Sequence, residues 1–161
     1  MKELIAKLQQ ELEGGVLLET VEFKGEFTLL VRKDAIADVC RRLKEEFGFS
    51  YLSDMGGADR FTDAGRFEVI YNILHLEKSL RLRLKVRTEE KNPSVPSVTS
   101  VWEAANWHER EAYDMFGIFF ENHPDLRRMY LPEDFKYYPL RKEFPLIGIP
   151  GSLPLPEKDK F

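Results

Sequence analysis

The amino-acid sequence predicts an α+β fold: a mixed β-sheet with helices packed on it, in the order α-β-β-α-β-β-β-α, followed by an extended proline-rich C-terminal arm. Three observations lead there. Leu80, Leu82, Leu84 and Val86 alternate strictly with Arg81, Arg83, Lys85 and Arg87, the period of a strand with one buried and one basic face. Ile36, Val39, Cys40, Leu43 and Phe47 recur at helical spacing, as do Leu4, Ile5, Leu8 and Leu12. Seven of the nine prolines fall between 124 and 156, where missing backbone donors exclude a long helix. The expected division is an α+β domain over 1–117 and an arm over 118–161, whose apolar residues (Phe119, Phe120, Leu131, Phe135, Tyr137 and Tyr138 among them) call for a partner to dock on.

Each element has its own signals. The first helix, within 2–13, is stopped by Gly14-Gly15. The run from Val16 to Val31 is rich in β-branched and aromatic residues and is divided by Lys24-Gly25, which reads as a hairpin. Asp34 stands where the next helix needs an N-cap, and Gly48 where it ends. Cys40 lies on the apolar face of that helix and reads as a buried structural thiol. Phe49 to Leu52 predicts a strand leaving through Asp54–Asp59, whose paired glycines read as a bulge or turn. No Gly-Lys-Ser/Thr follows them, so they do not make a phosphate loop. Phe67 to Leu76 predicts a strand apolar on much of both faces. The basic face of the next strand, 80–87, reads first as a solvated exterior and second as a docking face for an acidic neighbour. Residues 88–99 read as a polar loop. Ser100 with Glu103 forms a capping-box signature for the last helix, and Gly117 suits the left-handed position after it.

Composition narrows the function. With 161 residues the chain suits one domain with a real core. A net charge of −4 argues against a nucleic-acid binder, whose footprint is basic. One cysteine allows no internal disulfide, and no iron–sulfur cluster held by this chain alone. No cationic leader and no bilayer-length apolar run is present, so the expectation is a soluble intracellular protein. His75, His108 and His123 lack zinc-site spacing. Glu109 and Glu111, two apart on a helix, point away from one another and cannot act together on a substrate. No dinucleotide fingerprint, Walker loop or nucleophile elbow occurs.

The stretch from Trp107 to Pro145 is where the chain departs from plain core patterning. At helical angles, Val101, Trp102, Ala104, Ala105, Ala112, Tyr113, Met115 and Phe116 share a broad apolar face. Glu109 falls inside that face, and Trp107 falls opposite it, among Glu103, Arg110 and Asp114. Trp107 lies flat over a neighbouring loop or serves an interface. A carboxylate in mid-face is costly unless paired. Arg127, Arg128 and Arg141 follow soon enough to fold back, so the expectation is that one or two of them clamp Glu109 and pin the start of the arm.

Glu109-Arg110-Glu111, Tyr113-Asp114-Met115-Phe116-Gly117, His123-Pro124-Asp125-Leu126-Arg127-Arg128 and Pro139-Leu140-Arg141-Lys142 resemble the signature of the C-type (30 kDa) subunit of respiratory complex I, NADH:quinone oxidoreductase. The likeness is strong over about 107–146 and fainter, by element order, before it. Glu143 stands where the pattern has aspartate, and Met129-Tyr130 where it has two aliphatics. The resemblance implies a non-catalytic assembly subunit of the peripheral arm of a proton-translocating complex. Such a subunit docks against the hydrogenase-large-subunit-like (D-type) chain near the quinone site. Trp107, Glu109, Arg110, Glu111, Asp114, Phe116, His123, Asp125, Arg127, Arg128, Pro139, Leu140, Arg141 and Lys142 are then its interface and signature positions. The resemblance also implies no cofactor in this chain, with FMN and iron–sulfur clusters in partner subunits. It implies membrane attachment only through the complex, on the cytoplasmic side of a bacterial plasma membrane. Related subunits serve membrane-bound hydrogenases and deazaflavin-coenzyme dehydrogenases. A stand-alone acid–base enzyme using His108, Glu109 and Arg127 is the competing class.

Overall fold

The structure, a computed structural model, describes residues 2–12, 15–62 and 64–148. The elements run α1 (Lys2–Glu11), β1 (Leu17–Phe23), β2 (Glu26–Val31), α2 (Ile36–Glu45), β3 (Tyr51–Asp59), β4 (Phe67–His75), β5 (Leu80–Thr88), β6 (Ser94–Pro96), α3 (Ala105–Phe116) and β7 (Phe119–Glu121). This is the expected α+β order with two short strands added. Gly14, half of the expected stop after α1, lies outside the described residues. The five long strands form one mixed sheet in the order β1-β2-β5-β4-β3. Only β2 and β5 run parallel in it, Phe27 lying beside Leu82 and Val31 beside Val86. The other three pairings are antiparallel.

The hairpin forms where the sequence places it. Lys24 and Gly25 both have positive φ, 50° and 81°, as a two-residue turn matched to strand twist requires. On β5, Leu82, Leu84 and Val86 are buried and Leu80 is half-buried against the same core, while Arg81, Arg83, Lys85 and Arg87 are partly or fully exposed, which is the predicted register. These buried side chains meet Phe27, Leu29, Val31, Val69, Tyr71 and Ile73 from the neighbouring strands in one core. Ile5 and Leu8 of α1, Ile36, Val39, Cys40 and Leu43 of α2, and Ala105, Ala112 and Phe116 of α3 complete it. The basic row is partly neutralised at home: Lys85 and Arg87 both reach Glu68, and Arg83 reaches Glu26.

Four local expectations are corrected. Asp34 does not cap α2; it bonds Arg32 within a short 3-10 turn, and the helix starts behind Ala35. Ser100 and Glu103 do not box α3, because a turn closed by Val101 and Trp102 N–H groups on the Val98 carbonyl occupies that stretch. The helix begins only at Ala105. The glycine pair does not end β3. Gly56 and Gly57 sit within it opposite Ile70 and Val69, and the irregularity falls earlier, between Leu52 and Asp54. The polar loop contains β6, which pairs in parallel with β7. Gly117 does end α3 in the left-handed conformation (φ 73°) and donates its N–H to the Tyr113 carbonyl. Ile118 and Phe120, which the sequence assigns to the arm, are buried in the domain core.

Candidate functional site

Helix α3 is buried on two sides by two different things. One side faces the sheet. There the Phe116 ring lies over Gly57, where an added Cβ would come within 2.7 Å of it, so the helix depends on that glycine to sit this close. The other side carries Arg110 and Asp114, which helical angles place on an outer, polar face. Both are buried, because the chain after the helix folds back across them.

Asp114 holds that returning chain. Its Oδ2 accepts the backbone N–H groups of Met129 (3.0 Å), Tyr130 (2.7 Å) and Leu131 (3.1 Å), and its Oδ1 accepts Arg128 Nη1 at 2.8 Å. Burial pushes this carboxyl up, but the three N–H groups and the guanidinium outweigh it and hold the carboxyl below its ordinary value. Arg110 works from the same face, donating through Nε to the Arg127 carbonyl (3.1 Å) and through Nη2 to the Arg128 carbonyl (3.3 Å). Its guanidinium also stacks 5.0 Å from the centre of the Trp107 ring, which remains 61% exposed. Trp107 therefore faces outward, supported from beneath by its own helix.

A second anchorage catches the signature at 139–142. Arg66, just before β4, grips Asp59, the last residue of β3, through two parallel bonds of 3.0 and 2.8 Å. Arg66 also pairs with Glu90 and Glu143. Asp59 in turn accepts the backbone N–H of Lys142 at 2.9 Å. The Arg66 hydrogen bonds hold the Asp59 carboxyl down at about 2, against the pull of burial. Arg141 donates through Nε to the Phe116 carbonyl (2.7 Å), one of the unpaired acceptors at the end of α3. Its guanidinium lies 4.9 Å from the Phe67 ring centre and 4.5 Å from that of Tyr138. The Leu140 N–H reaches the Met115 carbonyl. Asp59 and Arg66 are absent from the sequence-derived set, since the arm residues they hold, Lys142 and Glu143, lie 83 and 77 residues away and no local pattern marks them.

Glu109 is fully buried, as its place in the apolar face requires, but no arginine clamps it. Arg127 pairs with Asp125, Arg128 with Asp114, and Arg141 with the helix end. The reason is geometric: the arm crosses the Asp114 side of α3, whereas Glu109 points into the domain. Its Oε1 accepts the Val98 N–H at 2.7 Å, and among the described residues its Oε2 has no hydrogen-bond partner. His123 Nε2 lies 4.0 Å away. The Asp125 N–H donates to His123 Nδ1 (3.0 Å), so Nε2 carries the proton and donates to the Asn106 carbonyl at 3.1 Å. His123 thus ties the turn at Asp125 to α3. Burial pushes the Glu109 carboxyl up to about 7, restrained by the Val98 N–H that it accepts. Nearby in the core, burial and then the Glu109 charge push the Cys40 thiol up, and burial raises the Tyr71 phenol.

The remaining signature positions lie at the surface. Glu111, Asp125, Arg127, Leu140 and Lys142 are exposed or partly so, while Pro139 is half-buried. Tyr130, Tyr137 and Leu140 are each at least 50% exposed, and Leu146 and Ile147 are more so. Residues 149–161, the end of the expected arm, lie outside the described residues. Among the described residues no three His, Cys, Asp or Glu side chains come together as a metal-holding group. No helix among them is long and apolar enough to cross a membrane.

Fold and anchorages together define an α+β domain that uses its buried charges to seat the polypeptide following its last helix. The chain belongs to the family of respiratory-chain NADH dehydrogenase 30 Kd subunits, whose pattern matches residues 29–149. The C-type subunit of NADH-quinone oxidoreductase from Geotalea uraniireducens (strain Rf4) is 43% identical over 144 residues, 89% of this chain and 87% of that one. A C-type subunit of the same oxidoreductase from Rhizobium meliloti (strain 1021) is 45% identical over 142 residues, 87% of this chain and 78% of that one. Among solved structures, the trypsin-resistant fragment (1-134) of Nqo5 superposes with a TM-score of 0.67 at 29% identity, covering 78% of this chain and 98% of its own. A chain of an archaeal respiratory membrane complex, the membrane-bound sulfane sulfur reductase, shares the fold with a TM-score of 0.79 at 22% identity, covering 99% of this chain and 98% of its own.

Proposed function

We propose that the chain is a structural and assembly subunit in the peripheral arm of a proton-translocating NADH:quinone oxidoreductase. It docks through its C-terminal arm against the hydrogenase-large-subunit-like chain near the quinone site. In this reading it carries no catalytic residue and no cofactor; FMN and iron–sulfur clusters belong to partner subunits. The complex holds it peripherally, on the cytoplasmic side of a bacterial plasma membrane. One observation carries the reading. The charged groups of the signature, Arg110, Asp114, Arg128 and Arg141, bind the chain's own backbone, while Tyr130, Tyr137 and Leu140 on the same arm face solvent. Charges turned inward and apolar groups turned outward suit a docking element.

The test is a tagged chain purified with its native assembly. The expected result is co-purification with the hydrogenase-large-subunit-like chain, while the isolated subunit is colourless and inert with NADH and quinone. Leu140→Asp should reduce recovery of the assembly without changing the subunit's own unfolding midpoint. Full recovery of the assembly with the arm deleted would refute docking through it.

A further inference from the structure

We propose that the arm from Arg127 to Glu143 is folded onto its own domain before any partner arrives, closed by two buried carboxylates, Asp114 and Asp59. Its outer residues then meet the partner as a ready-made face. The second half of this proposal rests on the docking reading above; the first half does not.

Three features of the closure support it. Asp114 is saturated by the arm alone, with three consecutive backbone N–H groups on one oxygen and Arg128 on the other. Lifting the arm would exchange all of these charge-assisted bonds for water at once. The two anchorages also assist each other. Once Met129–Leu131 are held on Asp114, closing Lys142 onto Asp59 costs only the entropy of the short loop between them. Finally, the loop is filled from within. Arg128 lies 5.2 Å from the Tyr138 ring centre and reaches the Tyr137 carbonyl, and the Phe135, Tyr137 and Phe144 rings meet edge to face. An arm closed this way needs nothing from a second chain to define its path.

The consequence concerns the partner. A segment that folds on binding loses its ordering entropy at the moment of association, whereas a pre-formed face does not. Tyr130, Tyr137 and Leu140 project from the latched segment with half or more of their surface free. They fit a polypeptide whose apolar recesses are themselves already formed.

The test is amide hydrogen exchange on the full chain, alone and with the co-expressed hydrogenase-large-subunit-like chain. The proposal expects the Met129, Tyr130, Leu131 and Lys142 amides to be slow in the free chain and little changed by the partner. Asp114→Asn should speed the first three by roughly tenfold to a hundredfold, the weight of losing one or two bonds to a charged group. The Leu82 and Leu84 amides in β5 should stay slow and so report that the variant remains folded. If the four amides of the unaltered chain exchange freely and become protected only with the partner, the arm folds on binding and the proposal is overturned. Protection in the free chain with no association would support pre-folding and overturn the docking reading alone.

Discussion

At the scale of single residues, Glu109 and Asp114 are two buried carboxylates on one helix with opposite electrostatics. Glu109 receives one backbone N–H and has an orphan oxygen, so its carboxyl rises from 4.5 to about 7. A folded-state value above the unfolded one means that the native state binds the extra proton. The stability this gives is complete below about pH 4.5 and is lost as pH climbs through 7, a change of about 2–4 kcal/mol. Denaturant midpoints measured across that window should fall with pH, and Glu109→Gln should flatten the fall. An unchanged slope would place its origin elsewhere. Asp114 and Asp59 act in the opposite sense. Their lowered values contribute stability above the ordinary carboxylate range that is lost on acidification. Asp114→Asn removes the charge that Arg128 pairs with and should cost about 1.5–3 kcal/mol, the weight of a bond to a charged group. Combining it with Arg128→Met should cost less than the sum of the two single changes. Additive losses would mean that the pair is not coupled.

At the scale of elements, the sheet and α3 are held by side-chain period and by one glycine. Leu82→Ala on the buried face of β5 should cost about 2–5 kcal/mol, and Arg83→Ala on the other face less than about 0.5 kcal/mol. Chemical denaturation of the two variants reads this directly, and equal losses would reject the register. Gly57→Ala would push a methyl against the Phe116 ring and should destabilise by about 1–3 kcal/mol. Pairing it with Phe116→Leu should recover part of that loss if the clash is its cause. The strong alternation of β5 and the Lys24-Gly25 turn are legible because their determinants are local. The caps mislead because theirs are not. Asp34, Ser100 and Glu103 have good cap chemistry, but nearby turns set by Arg32 and Val98 move the helix starts past them.

At the scale of the molecule, α3 is the structural link between a domain and an arm. Its inner side meets the sheet and its outer side meets the returning chain, so α3 sets where Tyr137 and Leu140 point. Tyr130→Ala and Leu140→Asp should weaken recovery of the assembled complex while leaving the isolated subunit's stability within about 0.5 kcal/mol, as for other surface changes. A large drop in the unfolding midpoint would show instead that these residues belong to the subunit's own packing.

The sequence by itself determined the order of the longer elements, the buried face of β5, the burial of Glu109 and the membership of Asp114, Arg128 and Arg141 in one signature. Period, turn chemistry and spacing carry that information over a few residues, and a signature in fixed order carries it over a few dozen. Only the tertiary structure decided which carboxylate the arginines serve, and it chose Asp114 over Glu109. It also decided the parallel contact of β2 with β5 and recruited Asp59 and Arg66 as a second anchorage. Pairing between charges depends on which side of α3 the returning chain crosses. That side is set by packing between segments far apart in sequence, where no local pattern reaches.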